Sequence, residues 1–343
     1  MSDPVTKSDR EVLVTGGSGF LGGRSIVQLL DEGYKVRTTL RSQAKESSVR
    51  SAIESEAGPG AGLTFFVADL GSDNGWAEAV ADCDYVLHVA SPFPAAQPKD
   101  PQELIGPARD GALRVLKAAL AGGVKRVVMT SSTVAIRNTG GPPRPEPFSE
   151  TDWTDPNLPG LSPYGQSKTI AESAAWGLVK ESGDEDRLAV VNPSAILGPL
   201  LGDEDSTSLE IIERMLKGMP AVPRLGFSFV DVRDVADLHI RAMTAPEAGG
   251  ERFIASGPFL WLSEVSEILR TALPEEAAKA PTRIVPKAVV RIMSLFDPRL
   301  RPVIGDIGKE SHFSAGKARD TFGWVPRPLE ETIVDCARSL AAR

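Results

Sequence analysis

Tyr164 and Lys168 stand four residues apart, downstream of a glycine-rich turn, Thr15-Gly16-Gly17-Ser18-Gly19-Phe20-Leu21-Gly22. Residues at i and i+4 share one face of a helix. An ordinary tyrosine ionises near pH ~10 and is a sluggish acid or base at neutrality. An ammonium beside it favours phenolate and brings the phenol toward working range. The same ammonium can hold a ribose. Each glycine of the turn plays a distinct part. Gly16 turns tightly out of a strand, Gly19 brings the backbone close to a pyrophosphate, and Gly22 lets the helix pack against the sheet. The helix N-terminus, with Phe20 and Leu21 in its first turn, then offers free N–H groups and partial positive charge to phosphate. A dinucleotide beside a proton donor is the equipment for hydride exchange at a carbonyl or alcohol.

The end of the second strand selects the cofactor. NAD enzymes usually carry an acidic residue there for the ribose hydroxyls. Tyr34 to Lys45 contains none, but holds Lys35, Arg37, Arg41 and Lys45. Arg41, just past the strand, is the best candidate for a 2′-phosphate, with Lys45 helping, because a guanidinium donates two parallel hydrogen bonds to phosphate. The expected cofactor is therefore NADPH/NADP+. Asp69-Leu70 at the end of the third strand is placed to meet the adenine, and Val89-Ala90-Ser91, closing the fourth, to lie under the ribose. Thr130-Ser131-Ser132 ends the fifth strand. One serine there should bond the substrate oxygen beside Tyr164, and Ser132 is preferred to Ser131.

The elements that position these residues are short β-branched runs alternating with longer helical patterns. Strands are expected at Glu11–Thr15, Lys35–Leu40, Leu63–Ala68, Tyr85–Val89, Arg126–Thr130 and Leu188–Asn192. Helices are expected at Leu21–Glu32, Pro101–Gly122 and Ser162–Glu181. Such alternation gives an α/β fold with a doubly wound parallel (Rossmann) sheet. From Pro193 the pattern turns mainly helical and proline-punctuated, which reads as a smaller substrate lobe. The expected division is 1–192 for the dinucleotide-binding domain, with 226–256 returning to it, and 193–343 for the substrate lobe. Phe93, Pro94, Phe227 and Trp261 are candidates for an apolar pocket.

The chain of 343 residues, 41% apolar and 24% charged, can bury a sizeable core. A net charge of −8 tells against nucleic acid or anionic membrane as a main partner. Cys83 and Cys336 form no metal-ligand spacing, and His88, His239 and His312 are scattered, so no metal site is expected. No run approaches a membrane span, the first residues lack a signal-peptide pattern, and a cytoplasmic location is expected.

These residues carry a resemblance. The chain resembles an extended short-chain dehydrogenase/reductase, in the branch of dihydroflavonol reductases, cinnamoyl-CoA reductases and yeast-type aldehyde (methylglyoxal) reductases. The matching pieces are Val14 to Gly22, Val36 to Ser42, His88-Val89-Ala90-Ser91-Pro92, Thr130-Ser131-Ser132, Tyr164 with Lys168, and Asn192-Pro193 running to Gly198-Pro199. Phe322-Gly323-Trp324 looks like part of the superfamily's C-terminal segment. The resemblance implies a catalytic set of Ser132, Tyr164 and Lys168, a 2′-phosphate held by Arg41 and Lys45, and Pro193 near the nicotinamide. It also implies a monomer or homodimer. Two departures stand out. Ile105 to Gly111 lacks the asparagine that many members place there. Leu161-Ser162-Pro163-Tyr164-Gly165 lacks the Trp/Cys-rich signature of cinnamoyl-CoA reductases, and Arg137 stands where flavonol reductases have a substrate-reading asparagine. The activity expected is reduction of an aldehyde or ketone. The alternatives are a nucleotide-sugar epimerase or dehydratase with tightly held NAD, and a non-catalytic NADP-sensing protein.

Overall fold

The structure, a computed structural model, describes residues 6–60, 62–92, 100–141, 144–202, 207–296 and 304–343. Six strands alternate with helices through the first part of the chain: β1 (Glu11–Thr15), β2 (Lys35–Leu40), β3 (Leu63–Val67), β4 (Tyr85–His88), β5 (Arg126–Thr130) and β6 (Leu188–Pro193). Their helices are α1 (Phe20–Asp31), α2 (Glu46–Ala57), α3 (Trp76–Val80), α4 (Gln102–Ala121) and α5 (Pro163–Ser182). The remainder forms β7 (Ala195–Leu197), α6 (Thr207–Lys217), β8 (Val222–Pro223), β9 (Gly226–Asp231), α7 (Val232–Thr244), β10 (Glu251–Ala255), β11 (Phe259–Trp261), α8 (Leu262–Ala272), β12 (Ile284–Val285), α9 (Lys287–Phe296), α10 (Gly316–Phe322) and α11 (Leu329–Ala341).

A seven-stranded sheet in the order β10-β6-β5-β4-β1-β2-β3 is parallel throughout. Successive side chains of a strand point to opposite faces. Val12 and Val14 therefore join one core with α1 and α7, while Leu13 joins a second with α3, α4 and α5. Strands covered on both faces are buried along their whole length, as in Tyr85–His88 and Leu188–Pro193. The strand order reverses between β1 and β4. That switch point opens a crevice at the carboxyl ends of the strands, where ligands of such sheets bind.

The stretch 226–256 divides in a way its sequence does not announce. Helix α7 packs against α1 and the sheet, and β10 supplies the seventh strand. Strand β9, also expected to return, does not join that sheet. The free edge of β6 accepts one strand, and β10 occupies it from Ala189 to Pro193. β9 instead pairs parallel with β7 and antiparallel with β11, beyond the end of β6. Around this small sheet, α6, α8 and α11 pack their apolar faces into the same core as α1 and α7, with Ile333, Cys336 and Ala337 buried. Among the described residues, no helix is long and apolar enough to cross a membrane.

Candidate active site

The glycine turn lies at the switch point. Gly16 has φ +75°, a conformation that only glycine adopts cheaply, and its carbonyl accepts from Gly19 N at 2.9 Å. Gly19 caps α1 from an extended conformation. A Cβ on Gly22 would sit 2.2 Å from the Gly16 carbonyl oxygen. The clearance that Gly22 provides is thus against the turn itself rather than against the sheet. Phe20 and Leu21 are buried in the first turn of α1. Two supports have no signature in the sequence. Thr39 Oγ1 accepts from Gly16 N at 3.3 Å, and Thr15 Oγ1 accepts from Ala90 N at 3.0 Å. The Thr15 hydroxyl also hydrogen-bonds His88 Nδ1, 3.0 Å away. Val89, Ala90 and Ser91 are half-buried, with Ala90 directly opposite Gly16.

The basic residues of β2 separate by role. Arg37 is committed to Glu11 through two bonds of 2.6 and 3.0 Å, and lies over the Phe66 ring. Arg41 and Lys45 are exposed, and among the described residues neither side chain pairs with a carboxylate. Asp69 is exposed past β3, with Oδ1 accepting from Gly71 N at 2.6 Å, and Leu70 is half-buried beside it. Thr130 is tied down by its hydroxyl, 2.7 Å from His239 Nε2.

Ser162 starts α5: its hydroxyl accepts from Gly165 N at 3.1 Å, and Pro163 occupies the first turn. That start fixes Tyr164 at the positive end of the helix. The Tyr164 phenol hydrogen-bonds Ser132. Ser132 Oγ also accepts from Val134 N at 3.3 Å, opening a short 3-10 turn at Thr133–Ala135. Ser131 faces the other way and donates to Glu172 Oε2 at 2.5 Å. Only Ser132 is therefore placed beside the phenol.

The electrostatics depart from expectation. Burial pushes the Tyr164 phenol above its ordinary value, and the Ser132 hydrogen bond opposes this only in part. The Lys168 ammonium takes no part in that shift. Buried Lys168 is lowered to about 8 by loss of solvent, with Glu172 pulling it back up. His88, lowered to about 3 by burial and by Lys168, and His239, lowered to about 4 by burial, are neutral at pH 7.

At the end of β6, Pro193 is buried. Asn192 Oδ1 and Ser194 Oγ beside it are buried without a partner among the described residues. Orphaned polar atoms at a strand end, a turn cleared of Cβ atoms and unpaired cations past β2 together fit a dinucleotide phosphate. Of the pocket candidates, Trp261 is half-buried under the Arg224 guanidinium and Phe227 packs edge-on to Phe229. Phe93 and Pro94 lie outside the described residues. Arg137 donates from Nη2 to Asp306 Oδ2 at 3.0 Å.

Residues 12–255 match the NAD dependent epimerase/dehydratase family. Tetraketide alpha-pyrone reductase 2 of Arabidopsis thaliana is 36% identical over 274 residues, which cover 77% of this chain and 83% of that protein. Cinnamoyl-CoA reductase CAD2 of Medicago truncatula is 36% identical over 268 residues, covering 77% and 81%. Among solved structures, the yeast methylglyoxal/isovaleraldehyde reductase Gre2 complexed with NADPH superposes with a TM-score of 0.80 at 26% identity, over 97% of this chain and 98% of that one. The chain belongs to the NAD dependent epimerase/dehydratase family, as an extended short-chain dehydrogenase/reductase.

Proposed function

We propose that this protein is an NADPH-dependent carbonyl reductase that converts an aldehyde or ketone to an alcohol. The observation that carries the reading is the Tyr164 phenol bonded to Ser132 at the end of β5, one helical turn before buried Lys168. The reductase relatives, one of them solved with NADPH, support it.

Gly16, Gly19, Phe20, Leu21 and Gly22 would hold the pyrophosphate. Arg41 and Lys45 would hold the 2′-phosphate, and Asp69 and Leu70 the adenine. Val89, Ala90, Ser91, Thr130 and Pro193 would line the ribose and nicotinamide, with Tyr164 and Lys168 reaching the same ribose. Bound NADPH supplies the hydride. Tyr164 gives its proton to the carbonyl oxygen as negative charge develops there. A phenol held above its ordinary value stays protonated across neutral pH, so the acid is loaded before reaction. Ser132 donates to the same oxygen, and a preorganised donor of this kind is worth about 3 kcal/mol. Lys168 holds the ribose and faces the phenolate that forms. The proposal extends to a cytoplasmic enzyme acting as monomer or homodimer on a small molecule.

Arg41→Ala is expected to weaken NADPH about 10- to 100-fold, the loss of a charge-assisted pair, while leaving NADH nearly unchanged. Cofactor oxidation measured across aldehydes, diketones, ketoesters and aryl ketones checks both halves of the reading. Equal losses for the two cofactors would remove the 2′-phosphate assignment. Purified protein carrying tightly bound NAD and inert toward every carbonyl with NADPH would remove the reductase.

A further inference from the structure

Glu172 lies one turn past Lys168 on α5 and is wholly buried. Its carboxylate collects donors from two strands, from the residue after β5 and from its own helix. Ser131 Oγ donates to Oε2 at 2.5 Å, and Asn192 Nδ2 to the same oxygen at 2.9 Å. Arg252 Nε, from β10, donates to Oε1 at 2.6 Å, and Trp176 Nε1 lies 3.4 Å from that atom. Asn192 Nδ2 also donates to the Ser132 carbonyl at 3.3 Å. Arg252 Nη1 donates to the Glu150 and Asp152 carbonyls at 2.8 and 2.9 Å, and its guanidinium stacks 3.8 Å from the Trp153 ring centre. Glu150 closes the circuit by accepting from Ile254 N at 3.0 Å.

A buried ion pair is a weak device for stability, since well-packed apolar residues often serve as well. This one sits where two active-site groups meet. On one side it anchors the backbone that carries Ser132; on the other it presents negative charge to Lys168. We propose that Glu172 and Arg252 form a positioning pair that fixes the Ser132 hydroxyl and sets a buried carboxylate one helical turn from the Lys168 ammonium. The proposal rests on the reductase reading and adds two residues that touch neither cofactor nor substrate.

The surroundings of Lys168 support it. Among the described residues, Glu172 is the carboxylate that raises its pKa against burial. From the sheet, His88 faces it and is neutral. From α4, packed alongside, Arg109, Asp110 and Lys117 are exposed, and Arg114 is held by Asp73 and the Leu70 carbonyl. The 3-10 turn Thr133–Ala135 carries no titratable group. Lys168 is charged below about 8, so NADPH affinity and kcat/KM should both decline as pH rises through that value.

The test compares Glu172→Gln/Arg252→Met, which removes both charges together, with Ser131→Ala, which removes one donor and uncovers no charge. For the double variant we expect kcat to fall about 10²-fold with KM little changed, as for a misplaced catalytic group. We also expect the basic limb of NADPH affinity, read by cofactor fluorescence, to move down by about one pH unit. Ser131→Ala should lower kcat about tenfold and leave the limb in place, and it decides the positioning claim if the double variant does not fold. Wild-type kcat in Ser131→Ala, or an unmoved limb in a folded double variant, overturns the proposal. Because the affinity limb is read without any carbonyl, a wild-type protein inert toward all carbonyls would sink the reductase reading separately.

Discussion

Tyr164→Phe is expected to lower kcat at least about 10³-fold while NADPH affinity stays within about threefold, a loss at the upper end for one positioned general acid. The substitution deletes one oxygen. It leaves the Ser162 cap, the Pro163 start and the packing of α5 on α4 in place, so the fold and cofactor cradle should persist. Ser132 loses its partner but still accepts from Val134 N, which keeps its hydroxyl oriented. No other group described in the crevice can replace the phenol as a neutral-pH acid. His88 and His239 are both unprotonated there, and the Lys168 ammonium is one turn along the helix. Turnover within tenfold of wild type in Tyr164→Phe would mean that the proton comes from elsewhere. Stopped-flow measurement of NADPH oxidation, alongside a fluorescence titration of cofactor, separates chemistry from binding.

Gly22→Ala is expected to be nearly as damaging, by a different route. Its Cβ would lie 2.2 Å from the Gly16 carbonyl oxygen, and both glycines are held by backbone. Relief requires moving α1 away from the turn or opening the turn itself. Either displaces the N–H groups proposed to hold the pyrophosphate. We expect NADPH to weaken about 100-fold, and stability to drop by about 1–3 kcal/mol from overpacking. Gly177→Ala provides the contrast. That glycine lies in α5 with nothing within 4 Å of its Cβ position. Adding the methyl should leave affinity untouched and raise stability by up to about 1 kcal/mol through helix propensity. Isothermal titration and thermal melts of the two variants check this. An unchanged NADPH affinity in Gly22→Ala would show that the cradle is not where the cofactor binds.

The parts of the fold legible in sequence are those where a local pattern and its burial agree. β1, β2 and β5 lie where their β-branched runs stand, and α1 starts at the glycine turn, directly after Gly19. Helix α2 is not legible, because Glu46–Ala57 is mostly polar, without a continuous apolar face, and fully buries Ile53 alone. Of the small sheet, β9 is legible as a short strand near Phe229 to Val232, but β7 and β11 are not, since strands of three residues carry too little periodicity to register. Around the site, the residue types at a single turn or strand end can be read directly. Groups recruited from distant strands cannot. Glu172 draws Ser131, Asn192 and Arg252 from β6, β10 and the residues after β5, and no spacing along the chain announces that meeting. The direction of the Tyr164 shift is hidden for the same reason. Proximity of Lys168 is visible in the spacing, but the desolvation that dominates both groups depends on what packs over them.

The central claim is that this crevice moves hydride from NADPH to a carbonyl carbon and a proton from Tyr164 to its oxygen. The most direct test uses NADPH carrying deuterium at both nicotinamide C4 positions with a reducible aldehyde, followed by mass analysis of the product. We expect one deuterium on the carbinol carbon with the wild-type protein and no labelled alcohol with Tyr164→Phe. Alcohol formed without label, or label transferred equally well by the phenylalanine variant, would contradict the account.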